Sequence, residues 1–251
     1  MCGFAGFIVA NAAAPNSLEA DATRMALAIA HRGPDDAGAW ADAQAGIALG
    51  HRRLSIVDLS PAGHQPMVSG GGRYVIAFNG EIYNHQALRA ELQAAGAAPT
   101  EWRGHSDTET LLAAFEHWGV EPTLKKAVGM FAIALWDARE QCLYLARDRF
   151  GEKPLFFGWA GEGGARAFVF GSELKALRES LRRTTDALNT AKPSILIENS
   201  NTGDSGNSGG PAQLWIYGNV TNLGGEAKAT SHGTLRVAGN ISAETVSLAT
   251  G

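Results

Sequence analysis

The sequence predicts a layered α+β sandwich, and three observations predict it. Short strands such as Phe131-Ala132-Ile133-Ala134-Leu135-Trp136 are apolar on both faces. Capped amphipathic helices are interleaved with them. The chain has 251 residues, 45% of them apolar and 18% charged, which is enough to bury one or two cores. A strand that is apolar on both sides needs a second sheet over one face and helices over the other, whereas lone hairpins would leave one face wet.

The elements follow in order. Gly3–Val9 is read as a buried first strand. It imitates a signal peptide, with small residues at Ala12-Ala13-Ala14, but no Lys or Arg precedes Arg24, so the positive n-region is missing. Asn16 can cap a helix, with Glu19 at the reciprocal position and Leu18, Ala22, Met25 and Ile29 on one face; it ends before Gly33-Pro34. Strands are expected at Ile47–Leu49, Leu54–Val57 and Tyr74–Phe78, the last followed by a turn at Asn79-Gly80. Asn84 can cap a helix that carries Leu88 and Leu92 and stops at Gly96. Ser106-Asp107-Thr108-Glu109 reads as a capping box ahead of Leu111, Phe115 and Trp118, with Gly119 as the stop. Further strands are expected at Phe131–Trp136, Cys142–Arg147, Leu155–Phe157 and Phe168–Phe170.

Composition changes near Arg183. Of the 20 aromatic residues, 18 precede it, and beyond it nearly half the residues are Gly, Asn, Ser or Thr. Residues 1–182 and 183–251 are therefore separate regions, with Thr184–Lys192 as a linker. In the tail, Leu214–Val220 and Leu235–Ile241 align at a spacing of 21 residues, and Val246-Ser247-Leu248 begins a further turn of a short β-repeat. Asn199–Gly210 reads as a low-complexity loop. Its Asp204-Ser205-Gly206 and Ser208-Gly209-Gly210 have neither the leading strand nor the following helix that a nucleophile turn or phosphate loop requires.

A formal net charge of −4 leaves no surplus to neutralise a phosphate backbone, so nucleic acid is not an expected partner. No apolar run approaches the ~20 residues of a membrane span. Two cysteines, Cys2 and Cys142, make no disulfide framework and no zinc spacing, which points to a reducing, cytoplasmic setting. His51, His64, His85 and His105 show no metal-ligand spacing and are read as surface groups or groups behind the site. Cys142, in an apolar strand, is expected to be inert.

Cys2 carries the chemistry. Removal of Met1 would leave one residue with both a thiol and a free α-amino group, a nucleophile with its own base. An α-amino pKa of ~7.7–8.0 keeps part of that amine neutral near pH 7, able to take the thiol proton directly or through one water. Standing alone, a cysteine near a chain start is a small buried hydrophobe. Its neighbours decide otherwise.

Met1-Cys2-Gly3-Phe4-Ala5-Gly6, His31-Arg32-Gly33-Pro34-Asp35, His51-Arg52-Arg53-Leu54-Ser55-Ile56-Val57-Asp58, Phe78-Asn79-Gly80-Glu81-Ile82-Tyr83-Asn84 and Ser106-Asp107-Thr108-Glu109 occur in this order. Arg147–Leu155 and Ser172–Leu177 complete the set. Together they resemble the glutaminase domain of class II glutamine amidotransferases, which are N-terminal nucleophile hydrolases, in the wording of glutamine-hydrolysing asparagine synthetases. The resemblance implies a four-layer α/β/β/α sandwich over residues 1–182, followed by a β-rich or disordered tail over 183–251.

It also implies roles. Cys2 attacks the side-chain amide of L-glutamine, and Asn79 and Gly80 form the oxyanion hole. Arg53 grips the α-carboxylate, Asp107 lies near the ammonium, Glu81 belongs to the same glutamine-binding run, and Leu54, Ser55, Ile56 and Val57 line the pocket through their backbone. For Asp107 a plain alternative is dipole complementation at a helix start. His31 and Arg32 are read as bracing the turn before Pro34, and Arg147–Pro154 as a connection that in the family lies toward the partner domain. The resemblance stops before the ATP-binding half of such synthetases. The expected activity is therefore glutamine hydrolysis to glutamate and ammonia, not asparagine synthesis by this chain alone. No cofactor is expected for it; ATP and Mg enter only with a synthetase subunit acting in trans. Two other readings are a binding or assembly module defined by the tail, and a truncated or frameshifted synthetase fragment. The complete set of site residues in the head favours the enzyme.

Overall fold

The computed structural model describes residues 1–9, 15–160 and 167–181, together with the backbone of six strands between residues 213 and 248. The expected linker and the Asn199–Gly210 loop lie outside the described residues, as do Ala12–Ala14. Two sheets form the centre. The first runs, in spatial order, β2 (Asp36–Asp42), β3 (Ile47–Arg53), β1 (Gly3–Val9), β9 (Ala167–Gly171) and β8 (Phe156–Ala160), antiparallel throughout. The second runs β4 (Met67–Val68), β5 (Tyr74–Ile82), β6 (Gly129–Asp137) and β7 (Cys142–Arg147), also antiparallel. Two strands from the C-terminal part, β10 (Gln213–Tyr217) and β13 (Leu235–Ala238), extend its β7 edge in parallel.

The alternation of side chains along each strand explains why two sheets and two helix layers are needed. On β5, Val75 and Ala77 face Phe4, Leu49, Trp136, Leu145 and Phe170 in the core between the sheets. Tyr74, Ile76 and Phe78 face the other way, onto Leu88 of α2 (His85–Ala94), Leu111 and Phe115 of α3 (Asp107–Trp118) and Val120 of α4 (Val120–Lys126). The first sheet does the same with Ala5, Phe7, Ala48 and Val169, which pack on Leu18, Ala22, Met25 and Ile29 in and just after α1 (Pro15–Leu27) and on Ala176 and Leu177 of α5 (Leu174–Leu181). The result is the four-layer α/β/β/α sandwich.

The repeat spacing reappears as register. Leu214 pairs with Leu235, and Val220 of β11 (Val220–Thr221) pairs with Ile241 of β14 (Ile241–Ser242), each 21 residues on. The third pair, β12 (Glu226–Ala229) with β15 (Thr245–Leu248), sets Ala227 against Val246 and so falls out of that spacing.

Several local expectations change. Leu54–Val57 is not a strand: β3 ends at Arg53, the Leu54 amide and carbonyl face the Cys2 sulfur, and the Ser55 amide donates to Asp35 at 2.8 Å. With those backbone groups engaged, Ile56 and Val57 stand in solvent, 67% and 41% exposed. Asn79-Gly80 is not a turn, because β5 continues through both, with Asn79 opposite Ala132 and Gly80 opposite Phe131. Asn84 precedes α2 without capping it; its amide ties down the segment after α4 instead, donating to Lys126 O at 3.0 Å and accepting from Val128 N at 2.9 Å. Pro15 begins α1, one residue before the expected cap, as its fixed φ suits a first helical position. That helix ends at Leu27, and a 3₁₀ turn, Ala30–Arg32, leads on to Gly33. Ser106 caps α3 through Thr108 N at 3.0 Å, but Glu109 accepts from Arg103 N and Gly104 N rather than closing the box.

Candidate active site

Cys2 precedes β1, whose Gly3 pairs with Arg52, so Cys2 sits where β3 ends. Its thiol rests against the loop backbone, with Leu54 N donating to Sγ at 3.3 Å and Sγ donating to Leu54 O at 3.4 Å. Arg32 Nε donates to the Cys2 carbonyl at 2.9 Å, and its Nη1 pairs with Glu173 at 3.0 Å. Arg32 thus holds the Cys2 backbone as well as its own turn. Although burial pushes the Glu173 carboxyl up, bonds from Lys175, Arg32 and His31 hold it below its ordinary value. Cys142 lies buried in β7, where burial pushes its thiol up to about 12 and keeps it protonated.

Arg53 closes β3 and is buried. Its guanidinium donates to the Ser60 carbonyl at 2.9 Å and to the Asp58 carbonyl, and among the described residues no carboxylate pairs with it. Gly63 is pressed against it, so that a Cβ there would collide with the guanidinium. Asp35, Asp36, Ser55, Leu59, Ser60 and His64 line a cavity with Arg53. A buried guanidinium whose hydrogen bonds go to backbone carbonyls can still attract an incoming carboxylate.

Asn79, Gly80 and Glu81 stand consecutively on β5. Asn79 is 1% exposed, and its Nδ2 has no hydrogen-bond partner among the described residues. Buried donors are seldom left unpaired, and such an orphan is free to take an acceptor from water or from a ligand. Gly80 is required by space, since a Cβ would strike the Met130 carbonyl and Phe131 on β6.

His51, read as a surface group or a group behind the site, is fully buried. Its Nε2 lies 2.9 Å from the carbonyl of Phe78, the residue before Asn79. A carbonyl only accepts, so Nε2 carries the proton, and burial pushes the ring's pKa down to about 4. His51 therefore joins β3, where it lies opposite Phe4, to β5 just before Asn79. His64 and His105, in contrast, are exposed.

Asp107 opens α3 but is no surface group, being 5% exposed with Oδ2 accepting from Ile82 N at 2.9 Å. Burial, with a smaller push from Glu81, raises its carboxyl above the ordinary range against the Ile82 bond and His85. The helix-dipole reading is thus incomplete: this carboxylate also fixes α3 to β5 beside Glu81. Glu81 and Gly80 are half-buried, and Ser55 lies at the cavity rim.

The expected residues therefore gather from three places: the Cys2–Leu54 contact, the Arg53 seat, and the β5–Asp107 junction. Sequence reasoning assigned no role to Asp58, gave Arg32 only the bracing of its turn, and read His51 as a surface group or a group behind the site. For Asp58 a signal existed, because Asp-x-Ser in a loop is an Asx-turn pattern. Among the described residues no group of three or more His, Cys, Asp or Glu is placed to hold a metal ion, and no helix is long and apolar enough to cross a membrane.

Comparison with known proteins gives the family. Over 188 residues the chain is 43% identical to a putative glutamine-hydrolysing asparagine synthetase of Mycobacterium tuberculosis, covering 70% of this chain and 28% of that one. It is 40% identical over 160 residues to asparagine synthetase B of Escherichia coli, covering 64% of this chain and 27% of the other. The chain thus spans about a quarter of the length of these relatives. A glutamine phosphoribosylpyrophosphate amidotransferase structure from Bacillus subtilis shares the fold, with a TM-score of 0.57 and 21% identity over 71% of this chain and 43% of that one. Residues 1–204 match the glutamine amidotransferase domain family, and with that much of its length matched the chain belongs to it.

Proposed function

We propose that the chain hydrolyses L-glutamine to glutamate and ammonia through Cys2, after removal of Met1, whose residue is 57% exposed and open to an aminopeptidase. The observation that supports this most is the buried, unpaired Nδ2 of Asn79, a donor lacking an acceptor of the kind a tetrahedral oxyanion supplies. The Cys2 amine takes the thiol proton as sulfur adds to the amide carbon. The same proton passes to the departing nitrogen, and ammonia leaves a γ-glutamyl thioester. Water, deprotonated by the amine, then adds to the thioester, and glutamate departs as the thiol is restored. Arg53 takes the α-carboxylate, and Asp107 with Glu81 provides negative charge for the ammonium. Leu54 to Val57 flank the substrate through their backbone.

No cofactor takes part in this half-reaction. ATP and Mg belong to a synthetase partner in trans, to which the ammonia would pass, in a reducing cytoplasm that keeps Cys2 a thiol. Residues 1–182 would form the hydrolytic unit and 183–251 an appendage. Glutamate release from glutamine, with intact-mass measurement of the first residue and Cys2→Ala as control, tests the proposal. The expected result is a chain beginning at Cys2 and loss of turnover in the variant. Equal rates in both, or turnover by a chain that retains Met1, would overturn it.

A further inference from the structure

We infer that Asp58 is a positioning residue for glutamine: its side chain sets the spacing between Arg53 and Asp107, the two grips on the amino acid's charged ends. The inference rests on the glutaminase reading above.

Asp58 lies in the loop after β3 and is 7% exposed. Its Oδ1 accepts from Ser60 N at 2.8 Å and from Ser60 Oγ at 2.6 Å, folding residues 58–60 into a tight turn. That turn is the seat of Arg53, since the two carbonyls that receive the guanidinium are those of Asp58 and Ser60. The second carboxylate oxygen leaves the loop, and Oδ2 accepts from His105 N at 2.8 Å, two residues before Asp107. Gly104 lies so close to Oδ2 that a Cβ would collide with it. One carboxylate therefore shapes the Arg53 seat with one oxygen and holds the entry to α3 with the other.

The remaining contacts of that entry fix it against the same frame. Arg89 donates to the carbonyls of Gly104 at 3.1 Å and Ser106 at 3.0 Å, while Asp107 itself accepts from Ile82 N. Asp58 thus takes the amide side of the segment whose carbonyl side Arg89 takes. The Ser60 hydroxyl, with the His105 and Ser60 amides and the Arg53 charge, holds the Asp58 carboxyl down at about 2 against its burial, so it is charged wherever the enzyme works. Glutamine's ammonium and carboxylate are joined through one carbon, so a shift of about 1 Å between their two partners loosens one grip or the other, and misplacements of that size can cost about 10²-fold. Among the described residues no hydrogen bond joins Asp58 to the thiol or to Asn79 and Gly80, so binding suffers and chemistry does not.

Asp58→Asn keeps shape and volume but turns one oxygen into an N–H donor, which must face either the His105 or the Ser60 amide and so breaks one side of the clamp. The test compares wild type, Asp58→Asn and the milder Ser60→Ala, all as full chains shown by thermal melts to be folded at the assay temperature. The expected result is a KM for glutamine raised about tenfold or more in Asp58→Asn with kcat within about threefold, and a smaller rise in Ser60→Ala. Cys2 should react with iodoacetamide at the wild-type rate in each variant, whereas a glutamine-shaped diazoketone, which needs both grips, should label it more slowly in proportion to KM. An unchanged KM, or kcat and iodoacetamide reactivity falling along with it, overturns the inference while an active wild type leaves the glutaminase reading standing. A wild type without glutaminase activity defeats that reading, and this inference with it.

Discussion

Replacing Asn79 by Ala separates a catalytic donor from a structural one. The side chain is 1% exposed and its Nδ2 is unpaired, so in the resting protein the amide nitrogen stabilises nothing. A buried unsatisfied donor carries a penalty of about 1–3 kcal/mol, which Asn79→Ala removes. Against this stands lost packing from three heavy atoms, of similar size for a small buried truncation. The two nearly cancel, leaving a net change within about 1 kcal/mol, which corresponds to a shift of about 2–4 °C in Tm for a chain of this size. Turnover behaves differently, because loss of one oxyanion donor costs about 10²–10³ in kcat. The assay is steady-state glutamate release beside a thermal melt, and KM should stay near its wild-type value because the oxyanion exists only in the transition state. A variant that keeps kcat within about threefold, or one that loses activity only by losing about 10 °C or more in Tm, refutes the reasoning.

Other consequences are as direct. Arg53→Lys keeps the charge but loses the planar fork on the Ser60 and Asp58 carbonyls, and KM for glutamine should rise about 10–100-fold with little change in kcat. Burial lowers the folded-state pKa of His51 to about 4, below that of an unfolded histidine, so the unfolded chain binds the extra proton first as pH falls. Stability should therefore decline between about pH 6.5 and 4 by about 3 kcal/mol, and denaturant titrations across that range should show a shallower decline for His51→Gln. Gly80→Ala should lower Tm and activity together through the clash with the Met130 carbonyl, costing about 1–3 kcal/mol; a stable, fully active variant would contradict the close approach of β5 to β6.

Much of this was legible because periodicity and burial report the same physics. The doubly apolar run Phe131–Trp136 became the middle of the second sheet, and Ser106 and Gly119 bounded α3 where local hydrogen bonding and a positive φ require them. What was missed depends on distant partners. The Leu54–Val57 run has strand composition, yet its backbone groups go to Cys2 and Asp35, which no local pattern reveals. The edge strand β2, Asp-Ala-Gly-Ala-Trp-Ala-Asp, is half-buried and weakly apolar, so it offers little periodic signal. In the site, the Cys2, Arg53 and Asn79 to Glu81 runs could be singled out by chemical type and by resemblance. The burial of His51 and the two-sided reach of Asp58 depend on neighbours far along the chain and could not be read that way.

The placement of β1 in its sheet bears on how the protein is made. Its flanking strands are β3, soon after it in the chain, and β9, encoded some hundred and sixty residues later. Ser172 and Glu173 then fasten Phe4 and, through Arg32, the Cys2 carbonyl. A chain that stops before β9 would lack this late clasp. Without Ser172 and Glu173 the Phe4 amide and the Arg32 guanidinium lose these partners, so the start of the first strand is fully secured only by residues that close the sandwich.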